Sequence, residues 1–177
     1  SHWHYANAGQ MTLVLASGSP YRRELLARLR LQFEVVAPDV DETAAAGERP
    51  AALAARLARA KAQAVASSRP RAIVIGSDQV ASLDGRTPIG KPGTLARARE
   101  QLRAASGRAM QFHTAYAVVA PGRPLVEAIV PVTVRFRELD AAEIDRYLEL
   151  EQPLDCAGAA RCEGLGILFG TPSPPRS

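Results

Sequence analysis

From Met11 onward the chain alternates short apolar runs with stretches of helical spacing. Leu13-Val14-Leu15-Ala16 is unbroken and apolar, then Ser17-Gly18-Ser19-Pro20 turns the chain. That is the pattern of a short buried strand feeding a helix, with Ser19 as N-cap and Pro20 at the first helical position. Leu25, Leu26 and Leu29 follow at helical spacing. Residues 33–37 predict a second strand. Pro50 opens a long helix to about residue 67, with Leu53, Leu57 and Ala60 on one face. Residues 72–76 (Ala-Ile-Val-Ile-Gly) predict an interior strand, Asp84-Gly85 a turn and residues 90–94 a loop.

The second half has a different rhythm. A helix is predicted over 94–105, then long strands over 111–119 and 125–136 joined by a hairpin at Pro121-Gly122-Arg123. Asp140 and Glu143 read as a capping box opening a helix with Ile144, Tyr147 and Leu148 inward. A Gly-, Cys- and Ala-rich segment over 155–166 precedes a strand-like 167–169. Helices alternating with strands of mixed direction predict an α/β fold with a partly antiparallel sheet. Residues 1–10, which hold no acidic side chain and no Lys or Arg, read as a leader, 11–169 as the domain, and 170–177 as a proline-rich tail.

Composition narrows the class. With 177 residues, 47% hydrophobic and 23% charged, the chain suits one globular domain and neither a disordered segment nor a disulfide scaffold. Net charge is +4, and the basic residues are dispersed along helices, which argues against a polynucleotide partner. The aromatic content of 5% leaves no stacking platform for RNA. Cys156 and Cys162 lack zinc-site spacing and read as reduced and structural. No apolar run approaches the ~18 residues of a membrane span, so the expectation is a cytoplasmic protein without a membrane. His113 is the one histidine outside the leader, which leaves no hydrolase triad; a Cys–His nucleophile is the minor alternative.

Four clusters carry candidate chemistry. Arg22 and Arg23 stand in a first helical turn whose dipole is already positive, a placement that a bound anion would reverse. With the hydroxyls of Ser17 and Ser19 and free backbone N–H groups they read as a triphosphate cradle. Asp39, Asp41 and Glu42 form an acidic loop, which on residues alone is ordinarily a solubilising one. Asp78, read as lying just past the end of the interior strand in Gly76-Ser77-Asp78-Gln79, needs a partner or a metal there. Asp78 with Glu42 or Asp41 could hold Mg²⁺. Of the 22 basic residues all but Lys61 and Lys91 are arginines, and both lysines stand beside these motifs. A compact ammonium suits a phosphate oxygen.

In order, Leu15-Ala16-Ser17-Gly18-Ser19-Pro20, Arg22-Arg23, Leu25-Leu26, Asp41-Glu42, Lys61-Ala62, Gly76-Ser77-Asp78-Gln79, Gly90-Lys91-Pro92 and Pro153-Leu154-x-x-Ala157-Gly158 resemble the Maf family of nucleoside triphosphate pyrophosphatases. The resemblance covers most of the chain, from Met11 to Phe169. It implies an elongated mixed sheet flanked by helices, with two lobes around a deep cleft, and a homodimer. It also implies divalent-metal-dependent hydrolysis of the α–β phosphoanhydride of a small nucleotide, with Mg²⁺ or Mn²⁺. By matching position Asp78 is the catalytic base. Ser17, Ser19, Arg22, Arg23, Lys61 and Lys91 bind phosphate, and Glu42 with Asp78 holds the metal. Tyr21, Gln79 and Glu163 occupy the positions that separate branches, and this combination resembles the branch acting on 7-methyl-GTP. An aromatic face and a carboxylate both favour a positively charged base. A dTTP/UTP pyrophosphatase, or a nucleotide-binding cell-division regulator with little turnover, is the alternative. After Ile167 the family continues into a Gly-Leu-Pro-Leu segment and an apolar helix, where this sequence has Leu168-Phe169-Gly170 and prolines. Absence of that helix would expose apolar core.

Overall fold

Small side chains decide how the central elements pack. In a computed structural model describing residues 11–159, five strands form one sheet in the order β2-β1-β3-β4-β5. The strands are β1 (Leu13–Ala16), β2 (Glu34–Val36), β3 (Ile73–Ser82), β4 (Ala109–Val119) and β5 (Val126–Arg135). Four α-helices accompany them: α1 (Pro20–Arg28), α2 (Pro50–Ser68), α3 (Leu95–Ala105) and α4 (Ala141–Glu151), and a 3₁₀ turn follows at Ala157–Ala159. β1 pairs in parallel with β2, Val14 opposite Glu34, and with β3, Ala16 opposite Gly76. Residues 120–125 are too few for a crossover, so β4 and β5 form a hairpin. Its other end is closed by Phe136 N–H donating to the Arg108 carbonyl. The sheet is therefore mixed, as the alternation of elements predicts.

Predicted helix starts coincide with the observed ones. Ser19, Thr94 and Asp140 each accept from the backbone N–H three residues on, capping α1, α3 and α4. The turn at Gly122 (φ 67°) joins β4 to β5, and Pro131 is tolerated because β5 is an edge strand. Two expectations change. β3 does not stop at Gly76 but runs on to Ser82, so Asp78 lies inside a strand. Gly76 is required by contact: a Cβ there would run into the Ala58 carbonyl oxygen and come within 2.7 Å of Ala62 N. The glycine marks close approach to a helix, and Val80-Ala81-Ser82 continue the ladder. Leu29, whose helical spacing with Leu25 and Leu26 implied a shared buried face, is 64% exposed, while Leu25 and Leu26 are half-buried.

The described residues divide into two compact units, residues 11–42, 55–78 and 115–128, and residues 43–54, 79–114 and 129–159. In the first, Val14, Leu15, Ala16 and Val74 are buried in the strands, and Leu57, Ala58, Ala62 and Val65 on α2. In the second, Leu102 of α3, Met110 and Phe112 of β4, Phe136, and Ile144, Tyr147 and Leu148 of α4 form the core. The predicted inward face of α4 is the observed one. Among the described residues no helix is long and apolar enough to cross a membrane.

Candidate functional site

The side chains of β3 alternate between two faces of the sheet. Gly76 and Asp78 face α2, whose Ala58 and Ala62 lie directly over Gly76. Lys61 shares that helical face, four residues past Leu57 and four before Val65, and is 4% exposed. The close approach allowed by Gly76 thus carries a lysine into the sheet beside a carboxylate. Lys61 Nζ stands 3.3 Å from Asp78 Oδ2 and 2.8 Å from Glu42 Oε1. Asp78 is 3% exposed, and an isolated carboxylate at that depth would be strongly disfavoured without its cation. Glu42 comes from the acidic loop and keeps its side chain 41% exposed. Glu42, Lys61 and Asp78, distant in sequence, are one cluster of the first unit.

The β1–α1 turn is built largely by its own hydroxyls. Ser17, 1% exposed, accepts from the Ser19 N–H at 3.1 Å, and Ser19 accepts from the Arg22 N–H at 3.4 Å. Two N–H groups expected to serve an anion are therefore engaged within the turn. The first turn of α1 carries no acidic residue, and Arg23 is exposed. Arg22 lines a cavity of about 210 Å³ with Leu15, Leu25, Leu26, Ile75 and Ser77. That cavity lies on the face of β3 opposite Asp78, so Arg22 is not part of the Lys61 cluster. Ser77 Oγ is buried there with no hydrogen-bond partner among the described residues, a feature the sequence reading passed over. Only its place next to Asp78 could have drawn notice to it.

In the second unit Gln79 Nε2 donates to Thr114 Oγ1 of β4 at 3.0 Å. Thr114 is a second residue not singled out from sequence, because only strand pairing brings it to Gln79. Lys91 is exposed on a loop held at several points. Gly93 N–H donates to the Leu154 carbonyl at 2.9 Å, and the Gly90 carbonyl accepts from Gly158 N–H and Gln101 Nε2. Gly158 has φ 65°, and a Cβ on it would meet Met110 Sδ at 2.6 Å. The Pro153–Gly158 motif therefore acts as the clamp of the Lys91 loop. Tyr21 is the second residue of α1. Glu163, Cys162, the strand-like 167–169 and the segments 1–10 and 170–177 lie outside the described residues.

The sheet architecture has solved counterparts. A Ham1 protein of Staphylococcus aureus aligns with TM-score 0.52 at 17% identity, covering 90% of this chain and 91% of that one. A HAM1 protein of Coxiella burnetii aligns with TM-score 0.55 at 18% identity, over 91% and 93%. The fold is thus that of an α/β protein with Ham1-like architecture. More specifically, the chain belongs to the Maf family, whose profile, described as Maf-like protein, matches residues 12–171. Among its relatives are proteins named 7-methyl-GTP pyrophosphatase. That of Albidiferax ferrireducens is 57% identical over 89% of this chain and 79% of its own length. That of Bordetella avium is 59% identical over 88% and 78%, and that of Xanthomonas oryzae 56% identical over 88% and 80%.

Pyrophosphatases of this family generally need a divalent metal. The chemistry of the cluster fits one: two carboxylates already hold a cation between them, the Lys61 ammonium. All-oxygen ligation by one or two carboxylates is what Mg²⁺ ordinarily takes from a protein, with substrate phosphates and water completing its shell.

Proposed function

We propose that this protein hydrolyses 7-methyl-GTP to the monophosphate and pyrophosphate. The observation that carries the chemistry is the cluster in which buried Asp78 of β3 and Lys61 of α2 meet the exposed Glu42 of the acidic loop. We assign Asp78 the role of base, Lys61 that of a phosphate cation and Glu42 that of a metal ligand. The substrate rests on relatives 56–59% identical that carry that name.

Asp78, held by an ammonium inside the sheet, is an acceptor fixed in position. It takes a proton from a water whose oxygen attacks the α-phosphorus. The bond from that phosphorus to the α–β bridging oxygen breaks, and pyrophosphate leaves with the electron pair. Lys61, Lys91 and Arg23 offset charge on the phosphates, Arg22 joins them by swinging out of its cavity on the opposite face of β3, and the Ser17 and Ser19 hydroxyls shape the turn that meets them. Glu42 and Asp78 would hold the divalent ion, Mg²⁺ or Mn²⁺, which neutralises phosphate charge when bound. The base is read by Tyr21, Gln79 and Glu163: an aromatic face and a carboxylate suit the positive charge of a 7-methylated guanine, and the Gln79 amide is held by Thr114. The substrate is a small nucleotide. A homodimer and a cytoplasmic location belong to the same reading.

The test is pyrophosphate release from 7-methyl-GTP, GTP, dTTP and UTP with Mg²⁺, for wild type and Asp78→Asn. Wild type should prefer 7-methyl-GTP, and Asp78→Asn should lose about 100-fold or more in kcat while still binding nucleotide. Preference for UTP would overturn the substrate. Nucleotide binding without pyrophosphate release would replace the enzyme with a nucleotide-binding regulator.

A further inference from the structure

The Lys61 ammonium occupies both carboxylates that the proposed function gives to the metal. Its Nζ is 2.8 Å from Glu42 Oε1 and 3.3 Å from Asp78 Oδ2, and the Lys61 and Asp78 side chains are 6% and 4% exposed. One ammonium shared by two carboxylates offsets negative charge that a divalent ion would use, and its Nζ stands within ion-pair distance of both. Among the described residues no group of three or more His, Cys, Asp or Glu could hold a metal instead. The lysine is rooted in a closely packed helix: α2 lies on β3 at Gly76, where Ala62 N would lie 2.7 Å from an added Cβ. Its flexible four-carbon stem can move the charge without moving the helix.

We propose that Lys61 is the resident cation of the Glu42–Asp78 pair. It keeps divalent metal off the nucleotide-free protein and releases the carboxylates when a polyphosphate arrives. The polyphosphate offers the ammonium a new set of anionic oxygens within reach of its flexible stem. Movement of Lys61 onto phosphate withdraws its positive charge from the carboxylates. Metal and triphosphate then load together, and metal does not wait in the empty site. Lys61 is in this account an exchanging counter-ion, which an arginine could not imitate: a planar fork would lock onto the carboxylates. The proposal rests on the reading of Glu42 and Asp78 as metal ligands.

The experiment follows Mn²⁺ binding to the full chain without nucleotide, by the electron paramagnetic resonance signal of free Mn²⁺. Lys61→Met and Lys61→Gln should bind Mn²⁺ about tenfold or more tighter than wild type. Addition of Glu42→Gln should abolish the gain. Equal or tighter binding by wild type, or a gain that survives Glu42→Gln, overturns the proposal. Should neither Lys61 variant fold, wild type alone decides. Millimolar Mn²⁺ should leave its melting temperature unchanged without nucleotide, and a rise reversed by Glu42→Gln overturns the proposal. A parallel titration with a non-hydrolysable α,β-methylene 7-methyl-GTP analogue separates the two readings. Failure to bind the analogue rejects the pyrophosphatase, whereas analogue binding with no Lys61 effect on Mn²⁺ rejects only the exchange.

Discussion

Gln79 shows how much of a residue's role depends on what holds it. Its amide could present either a donor or an acceptor to a nucleobase, and the hydrogen bond from Nε2 to Thr114 Oγ1 anchors it in place. Thr114→Val removes that anchor at nearly constant volume. We expect it to lower the preference for 7-methyl-GTP over UTP about tenfold, mainly through KM, and Thr114→Ser to restore it. Steady-state kinetics on the two nucleotides check this, and unchanged selectivity in Thr114→Val would contradict it. Chemical identity made Gln79 and Asp78 visible in the sequence. Thr114 and Ser77 were not visible, because the first matters through a cross-strand contact and the second through a missing one.

Elements were most legible where local chemistry sets their ends. Ser19 and Asp140 cap the helices they were expected to cap, Thr94 caps the helix expected to begin at it, and Gly122 turns the hairpin. Legibility failed at Gly76, where a residue that usually interrupts a strand is needed for contact with Ala58 and Ala62. Local patterning carries no information about a helix that packs from elsewhere in the chain. Gly76→Ala should destabilise the fold by about 2 kcal/mol or more and lower kcat, since the same approach brings Lys61 to Asp78. Urea unfolding that matches wild type would refute this.

The Asp84 turn gives a second element-scale expectation. The Thr87 N–H, then the Thr87 hydroxyl and the Arg86 N–H, hold the Asp84 carboxyl well below the usual carboxylate range. A depressed folded-state value means the stabilisation is complete above the unfolded value of about 3.9. It is lost as pH falls below that value towards the folded one. Wild type should therefore exceed Asp84→Ala in stability at pH 7, and the gap should close on acidification below about pH 4. A gap independent of pH across that range would show that the carboxylate charge is not what ties the turn.

For the whole molecule, alternation of elements was enough to predict a mixed α/β sheet, and the ordered motifs were enough to reach the Maf family. The candidate site was legible as residue types but not as an arrangement. Glu42, Lys61 and Asp78 meet because a loop, a helix and a strand converge, and on its own the acidic loop read as solvated. Arg22 faces the opposite side of β3 from this cluster, a separation that motif order could not disclose. The account's central claim is that the chain directs water, through Asp78, to the α-phosphorus of a nucleoside triphosphate. The most direct test is turnover of 7-methyl-GTP in oxygen-18 water, with products weighed by mass spectrometry for wild type and Asp78→Asn. The account predicts one labelled oxygen in the monophosphate, unlabelled pyrophosphate, and loss of turnover in Asp78→Asn; label in the pyrophosphate, or undiminished turnover in the variant, would contradict it.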